Sequence, residues 1–406
     1  MHILVLDTIH GGKTIGDAFA ARGDQVDCVD VYRGESIPDV KTAQTRDYDL
    51  VVAPVHLDPN HPLIKCSPTP IISHHQAIQR LLGKNKPEIM VEITGARGKT
   101  TTAHALAHLM KGPGILHTSR GTFRYPEKKW LSHSSITPGA VLEAVRMAQE
   151  INGWLIVEVS LGVTGAGTLG IITSAEDYAF AAGKKMALAS KIASAQDCPQ
   201  ILVAEHVFAP LLPGAVYLED IATCNDTVCS LTLAGRTGGF VNPLLALSGY
   251  RTPLMLAAAA AMILGGDPET LSSFHEIPGR LSVSYEQGVL VVDNANSGTN
   301  SATTVEAAQY ARRRSGTEAI TLVIGQMEGD GAVCEGFSFD QIQSCINQIL
   351  PARIVWVGTS PQADSEEFRV LEPLIAAYEK TLKEAYIRAL HITKNGSIVL
   401  AVKTWR

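Results

Sequence analysis

One short segment constrains this 406-residue chain more than any other, because an apolar strand runs directly into a glycine loop and a helix. The segment reads Val91-Glu92-Ile93-Thr94-Gly95-Ala96-Arg97-Gly98-Lys99-Thr100-Thr101-Thr102. Backbone N–H groups of such a loop surround phosphate oxygens, and the start of the helix adds partial positive charge. Lys99 would reach the β- and γ-phosphates of a nucleotide, and the Thr100 hydroxyl would help to hold Mg²⁺. The segment therefore predicts a nucleotide site made by Gly95, Ala96, Arg97, Gly98, Lys99, Thr100 and Thr101.

The loop departs from the usual spacing of phosphate loops. Only two residues separate Gly95 from Gly98, whereas the common form has four residues between its glycines. The alternative is a glycine turn that merely connects a strand to a helix. The Lys-Thr-Thr triplet after the loop favours phosphate binding.

A second strand supplies a carboxylate for the metal. Glu158 is the one charged residue in the apolar run Leu155-Ile156-Val157-Glu158-Val159. Because burying an unpaired carboxylate is costly, a cation is its natural partner. We therefore predict that Thr100 and Glu158 hold Mg²⁺. A structural salt bridge is the alternative for Glu158.

Strands alternate with helical segments along the whole chain, which indicates mostly parallel sheets. A polar break at residues 83–87 and the segment Ile277-Pro278-Gly279-Arg280 mark two boundaries. We expect three α/β domains, over residues 1–86, 87–278 and 279–406.

Composition bears on what the protein binds and where it works. The chain has 34 basic and 40 acidic side chains and a net charge of -6, unlike a general nucleic-acid binder. Its seven cysteines include no Cys-x-x-Cys pair, as expected for reduced thiols. No signal peptide is recognisable, and the longest apolar run is shorter than the ~20 residues of a membrane helix. We expect a cytoplasmic protein without nucleic-acid or membrane partners.

The phosphate loop and Glu158 together resemble the central domain of the Mur ligases. This family includes the peptidoglycan amino-acid ligases and folylpolyglutamate synthetase. The resemblance covers the whole chain and implies a Rossmann-like N-terminal domain, a central ATPase of the P-loop class and a Rossmann-like C-terminal domain that closes over ATP. It also implies the chemistry: ATP phosphorylates a carboxylate to an acyl phosphate, which a nucleophile then attacks.

The resemblance assigns roles by position. Glu158 matches the family's magnesium-binding glutamate. Lys191 matches a lysine that many members carry as a carbamate, with an ordinary surface lysine as the alternative. Arg280 resembles a hinge arginine that contacts phosphate, and Asp293 resembles an acidic residue that faces the nucleotide. The implied catalytic residues are Lys99, Glu158, Lys191 and Arg280.

Two departures leave parts of the site open. The family's Asp-His magnesium motif reads Asp177-Tyr178 here, and its His-Asn-x-x-Asn adenine segment reads Arg251-Thr252-Pro253-Leu254-Met255. The resemblance therefore leaves adenine recognition and the second metal site undefined.

A narrower similarity points to one branch of the family, in methane-metabolising archaea, whose members finish the nickel tetrapyrrole of methyl-coenzyme M reductase. It is carried by residues 5–12, 118–122, 135–138 and 402–406. It implies a carboxylated nickel tetrapyrrole as the small-molecule substrate, and an internal carbon nucleophile that closes a six-membered carbocyclic ketone with release of ADP and phosphate. Candidate substrate contacts near predicted strand ends or loops are His10, His117, Arg120 and Arg124, and for each the alternative is an ordinary loop residue. His10 is also a candidate axial ligand of the nickel.

Two other functions remain open. An amino-acid ligase of the Mur or folylpolyglutamate type would form an amide bond with the same fold. A GTP-dependent switch protein would read guanine with an Asn/Thr-Lys-x-Asp segment, which this sequence lacks.

Overall fold

The computed structural model describes residues 1–34, 36–65, 67–208, 212–296, 298–327, 337–358 and 371–404. The chain divides into two compact units, Met1–Phe274 and His275–Arg406. Trp405 and Arg406, which end the C-terminal motif, lie outside the described residues. Within the part that the structure describes, no helix combines the length and apolar character needed to cross a membrane.

The first unit begins with a four-stranded parallel sheet. Its elements are β1 (His2–Leu6), α1 (Gly12–Ala20), β2 (Gln25–Val29), α2 (Val40–Gln44), β3 (Leu50–Ala53), α3 (Pro62–Lys65), β4 (Ile71–Ser73) and α4 (His74–Leu82). The strand order is β2-β1-β3-β4. Because β1 is apolar from Ile3 to Leu6, these residues are buried on both faces: Val5 belongs to one hydrophobic core with Ile15 of α1, whereas Leu6 belongs to another with Ala43 of α2.

This strand order has a consequence for binding. The chain leaves β1 toward β2 on one side, and it leaves β3 toward β4 on the other. The crevice between the carboxyl ends of two such strands is where open α/β sheets bind ligands. The loops after β1 and β3 are therefore candidate binding segments.

The rest of the first unit is built around an eight-stranded sheet, with small two-stranded and three-stranded sheets beside it. Its elements are β5 (Met90–Thr94), α5 (Lys99–Leu109), β6 (Gly114–Thr118), β7 (Gly121–Tyr125), β8 (Lys129–Ser132), α6 (Ala140–Glu150), β9 (Trp154–Glu158), β10 (Leu169–Ile172), β11 (Ala179–Phe180), β12 (Lys185–Met186), α7 (Ala187–Ala195), β13 (Ile201–Val203), β14 (Val216–Tyr217), α8 (Leu218–Ile221), β15 (Ala222–Cys224), β16 (Val228–Leu233), β17 (Arg236–Val241) and α9 (Ser248–Ile263).

The order of the large sheet is β14-β13-β10-β5-β9-β6-β7-β8, and the strands from β14 to β6 are parallel. The strand that carries the glycine loop, β5, lies between β10 and β9. The carboxyl ends of three parallel strands therefore meet at the loop.

The described part of the second unit forms a six-stranded sheet of order β18-β19-β23-β20-β21-β22. Its elements are β18 (Ser282–Glu286), β19 (Val289–Asp293), α10 (Ser301–Ser315), β20 (Ile320–Gln326), α11 (Phe339–Ile349), β21 (Arg353–Val357), β22 (Ile375–Glu379), α12 (Leu382–Ile392) and β23 (Ser397–Lys403). Only β18 is antiparallel to its neighbour. The alternating α/β organisation with mostly parallel sheets, predicted from the sequence, is confirmed.

Candidate functional site

The glycine loop links β5 to α5 in a backbone conformation that requires glycine. Gly95 has a φ of 153° and Gly98 a φ of 83°, which side chains rarely adopt. A Cβ on Gly95 would also overlap the Thr173 hydroxyl. Since α5 begins at Lys99, the positive end of its dipole lies at the loop.

Residues just past β10 hold the loop in place. Ser174 Oγ accepts hydrogen bonds from the backbone N–H groups of Ala96 (3.0 Å) and Arg97 (3.3 Å). Thr173 Oγ1 lies within hydrogen-bond distance of the carbonyls of Arg97 (2.5 Å) and Thr94 (3.1 Å), so its single hydroxyl hydrogen is donated to one of them or shared. Sequence reasoning missed both residues, because a Thr-Ser pair after a strand has no motif of its own.

The predicted metal ligands lie together. Thr100 Oγ1 donates to Glu158 Oε2 (2.9 Å), and the Glu158 side chain is almost fully buried at the end of β9. Ser119, in the turn after β6, donates its backbone N–H to the same oxygen (3.1 Å). The hydroxyls of Thr100 and Ser119 are 3.2 Å apart. These hydroxyl and carboxylate oxygens are the hard ligands that Mg²⁺ prefers, so the residues present fit that ion.

Lys99 completes this group. Its Nζ donates to the Gly95 carbonyl (2.9 Å) and lies 3.8 Å from Glu158 Oε1. The ammonium thus lies between the start of the loop and Glu158, close to the backbone that would surround the phosphate groups of a nucleotide. Glu158 therefore contacts both its salt-bridge partner, Lys99, and the other predicted metal ligand, Thr100.

Lys191 is not a surface lysine. It is 0% exposed within α7, and its Nζ lies 4.7 Å from the centre of the Tyr178 ring. Tyr178 stands where the family's motif has its histidine. The neighbouring Asp177 carboxylate accepts from the backbone N–H groups of Tyr178 (2.8 Å) and Leu188 (2.7 Å), and so joins this segment to α7.

The candidate substrate residues lie in different environments. His117 is buried, with Nδ1 2.9 Å from Thr122 Oγ1 and Nε2 3.1 Å from the Ser135 carbonyl, and burial lowers its pKa. Arg120 lies in the turn beside Ser119. Arg124 is on β7 opposite Ile115, about 10 Å along β6 from the strand's carboxyl end.

Two predicted nucleotide contacts belong to the second unit and lie in the same part of it. Asp293 ends β19 and pairs with Ser282 of β18, and its carboxylate accepts from the Ala295 N–H (3.0 Å). Arg280 lies two residues before the start of β18, and its backbone N–H donates to the Ile277 carbonyl (2.9 Å).

His10 belongs to a cluster that the sequence did not reveal. Its Nδ1 lies 2.8 Å from Asp7 Oδ2, and His56 Nε2 lies 3.6 Å from the same oxygen. Burial alone would raise the pKa of Asp7, but its hydrogen bonds with His10 hold that pKa below the usual value. The hydrogen bond to Asp7 raises the pKa of His10, whereas burial lowers that of His56 to about 4.

Contacts within the first unit connect the loops that carry this cluster to the segments around Thr137 and Lys185. A Cβ on Gly11 would lie 2.9 Å from Thr137 Oγ1, so the residue after His10 abuts the segment before α6. In that segment, the Ile136 carbonyl accepts a hydrogen bond from the Ser160 N–H (2.9 Å), and Ser160 lies two residues after Glu158. On the other side, Lys185 of β12 donates to the Val55 carbonyl (3.0 Å), next to His56.

Comparisons with known proteins agree with the sequence-based resemblance. A family profile described as the C-terminal domain of coenzyme F430 synthetase CfbE matches residues 283–404. A curated coenzyme F(430) synthetase from Methanosarcina acetivorans is 30% identical to this chain, over 100% of the chain and 98% of the relative. The predicted narrower similarity is therefore confirmed.

Solved structures show the same fold. MurF from Acinetobacter baumannii matches with a TM-score of 0.59 at 12% identity, over 98% of this chain and 90% of that structure. The MurF ligase from Thermotoga maritima in complex with ADP matches with a TM-score of 0.50 at 14% identity, over 93% of this chain and 91% of that structure. The chain thus has the α/β fold of the Mur ligases.

Proposed function

Since this chain belongs to the coenzyme F(430) synthetase family, we propose that it activates a carboxylate of a nickel tetrapyrrole with ATP and then closes a carbocyclic ring on it. At the coarser level, the protein is an ATP-dependent ligase with the Mur fold. The arrangement of Lys99, Thr100 and Glu158 at the carboxyl ends of parallel strands carries the proposal.

The first step makes the carboxylate reactive. A carboxylate oxygen attacks the γ-phosphorus of ATP, the bond from that phosphorus to the bridging oxygen breaks, and ADP leaves. Lys99 and the start of α5 offset negative charge on the phosphate oxygens. When bound by Thr100 and Glu158, Mg²⁺ supplies further positive charge at the transferring phosphoryl group. The product is an acyl phosphate.

The second step joins two parts of one molecule. A carbon of the macrocycle attacks the acyl carbon, phosphate leaves, and the attacking carbon loses a proton. The new bond completes a six-membered cyclic ketone. Because both partners belong to one bound molecule, no second substrate has to be brought into place. Water has to be excluded, since an acyl phosphate hydrolyses.

Other assignments rest on the family resemblance. We propose that Lys191 acts near the transferred phosphate as a carbamate, and that Arg280 and Asp293 contact ATP. His10, His117, Arg120 and Arg124 are proposed substrate contacts, with Arg120 supported by its place beside Ser119. We also propose the division into domains at residues 1–86, 87–278 and 279–406.

The test is to incubate the purified protein with ATP, Mg²⁺ and the open-ring acid of the tetrapyrrole. We expect a shift in the absorption of the macrocycle with one phosphate released per ring closed. Lys99→Ala should abolish both signals, while its circular dichroism matches that of the wild type. An unchanged macrocycle spectrum with folded wild-type protein would rule out ring closure. Phosphate release that depends on an amino acid, without any tetrapyrrole, would instead indicate an amide-forming ligase.

A further inference from the structure

We propose that Asp7, His10 and His56 form a binding site for a divalent transition-metal ion, separate from the magnesium site at Glu158. One ligand atom from each residue lies within 4.8 Å of the other two, among the residues that the structure describes. Two imidazoles and one carboxylate suit ions such as Zn²⁺, Co²⁺ and Ni²⁺ better than Mg²⁺, which favours oxygen ligands.

The fold brings these three residues together from distant parts of the chain. Asp7 directly follows β1, His10 lies in the turn before α1, and His56 lies in the loop after β3. The two strands are adjacent, and their chain connections run in opposite directions. The cluster therefore lies in the crevice where this type of sheet binds ligands.

Asp7 is held in an uncommon conformation that aims one carboxylate oxygen at both histidines. Its φ is 76° and its side chain is 0% exposed. The Oδ1 atom accepts from the backbone N–H groups of Ile9 (2.8 Å) and His10 (3.0 Å). Its Oδ2 atom is the one that faces the imidazoles. Backbone strain of this kind concentrates at functional sites.

The distances suit a shared ion. Ligand atoms at about 2.1 Å from a metal lie about 3.0 Å apart in octahedral geometry and about 3.4 Å apart in tetrahedral geometry. Two of the three separations, those of Asp7 Oδ2 from His10 Nδ1 (2.8 Å) and from His56 Nε2 (3.6 Å), lie close to that range, and the two imidazoles offer nitrogens within 4.8 Å of each other. In such a site the ion replaces the proton now shared by His10 and Asp7.

His56 Nε2 gives the second, independent indication. This atom is buried and has no hydrogen-bond partner among the described residues. At 3.6 Å, Asp7 Oδ2 is too distant to satisfy it. A buried polar atom without a partner is costly, and an ion between the two atoms would remove that cost.

The surroundings of the cluster fix the positions of its rings and of the turn that carries Asp7 and His10. The Tyr32 ring stacks on His56 at 5.8 Å with an interplanar angle of 12°, and lies edge-on to His10 at 5.5 Å. The Cβ of a residue replacing Gly12 would overlap the Asp7 carbonyl, so the turn is fixed. A cavity of about 380 Å³ beside the turn is lined by Thr8, Ile9, Asp30, Arg33 and Ser36. Water or a ligand carboxylate would complete the coordination of the ion.

The proposal is tested with metal alone, without ATP or tetrapyrrole. Tag-free, full-length protein is titrated with Co²⁺ in excess Mg²⁺, which is added to compete for the proposed magnesium site at Thr100 and Glu158. The visible absorption of bound Co²⁺ is recorded. We expect one equivalent to bind, and His56→Ala or His10→Ala to weaken binding at least about 100-fold, since each removes a ligand. Glu158→Gln should bind Co²⁺ as the wild type does.

His61→Ala is the matched control, because His61 lies in the same loop but outside the cluster. Circular dichroism establishes that each variant is folded, and Asp7→Asn provides a third ligand variant. Wild-type protein that binds no Co²⁺ would overturn the proposal, as would wild-type affinity in folded His10→Ala and His56→Ala. Either result would leave the proposed ligase activity unaffected, because that activity is measured with ATP and the tetrapyrrole.

Discussion

Glutamine in place of Glu158 tests the phosphate site with a very small change, because it removes one charge and keeps the shape. Glu158 accepts hydrogen bonds from Thr100 and Ser119, and an amide oxygen can still accept both. The charge has a second partner, Lys99 Nζ, at 3.8 Å. With an effective dielectric constant of about 20, unit charges at that distance attract by about 4 kcal/mol. Glu158→Gln removes this attraction and one anionic metal ligand.

We expect the activity of Glu158→Gln to fall about 10²–10³-fold, the range that follows the loss of one electrostatic contact at a reacting group. The concentration of Mg²⁺ needed for half-maximal phosphate release should rise, since the ion loses an anionic ligand. The free energy of unfolding should fall by much less than this ~4 kcal/mol, because the neutral amide no longer bears the cost of a buried charge and Lys99 keeps its hydrogen bond to the Gly95 carbonyl.

Glu92 provides a matched control in the neighbouring strand. Both glutamates are buried, and Glu92 pairs with Val157, so the two side chains alternate to opposite faces of the sheet. The Glu92 carboxylate accepts from the Gly165 N–H (3.0 Å), from the Gly167 N–H (3.3 Å) and from both donors of Thr164. Glu92 therefore fixes the loop before β10.

An amide at position 92 would turn its NH₂ group toward backbone N–H groups. We expect Glu92→Gln to lower the free energy of unfolding by about 2–4 kcal/mol, since one or two buried donors lose their acceptor. Its activity, per folded molecule, should stay within about tenfold of the wild type. The two variants are compared by urea unfolding and by phosphate release with substrate, ATP and Mg²⁺. This reasoning would be refuted if the activity of Glu158→Gln stayed within tenfold of the wild type, or if Glu92→Gln lost as much activity as Glu158→Gln.

Two further predictions concern the loop and the pH dependence of stability. Gly95→Ala should abolish nucleotide binding measured by calorimetry, because its Cβ overlaps Thr173. The control variant Gly112→Ala, at a φ of 76° with open space around it, should bind nucleotide normally and lose about 1 kcal/mol of stability. Equal nucleotide binding by both variants would contradict the prediction. His75 donates to the Ser160 carbonyl, and burial lowers its pKa from 6.5 to about 4. Its contribution to stability is therefore present above pH 6.5 and is lost as the pH falls toward 4, by about 2 kcal/mol between pH 7 and pH 5. Urea unfolding at both pH values measures this loss. In His75→Gln, the free energy of unfolding should differ less between pH 7 and pH 5 than in the wild type. The same difference in both proteins would count against the assignment to His75.

Much of the phosphate site could be predicted from the sequence because its parts are local. The glycine loop, Lys99 and Thr100 are adjacent along the chain, and their roles depend on backbone geometry that glycine alone adopts easily. Glu158 was recognisable as a charge in an apolar strand. The same argument, however, applies equally to Glu92, which the sequence analysis did not single out. Only the hydrogen-bond partners distinguish the two.

The sequence by itself determined the alternation of strands and helices, the nucleotide loop and the family, because each depends on residues that are neighbours in the chain. The tertiary structure decided which side chains the order of the strands brings into contact. It placed Ser119 beside Glu158 and buried Lys191 against Tyr178. It also brought Asp7 and His56 close together at the ends of adjacent strands. These pairs are distant in sequence except for Tyr178 and Lys191, and no local pattern encodes them. Parallel sheets gather residues from the ends of different strands, so the order of the strands determines which side chains meet.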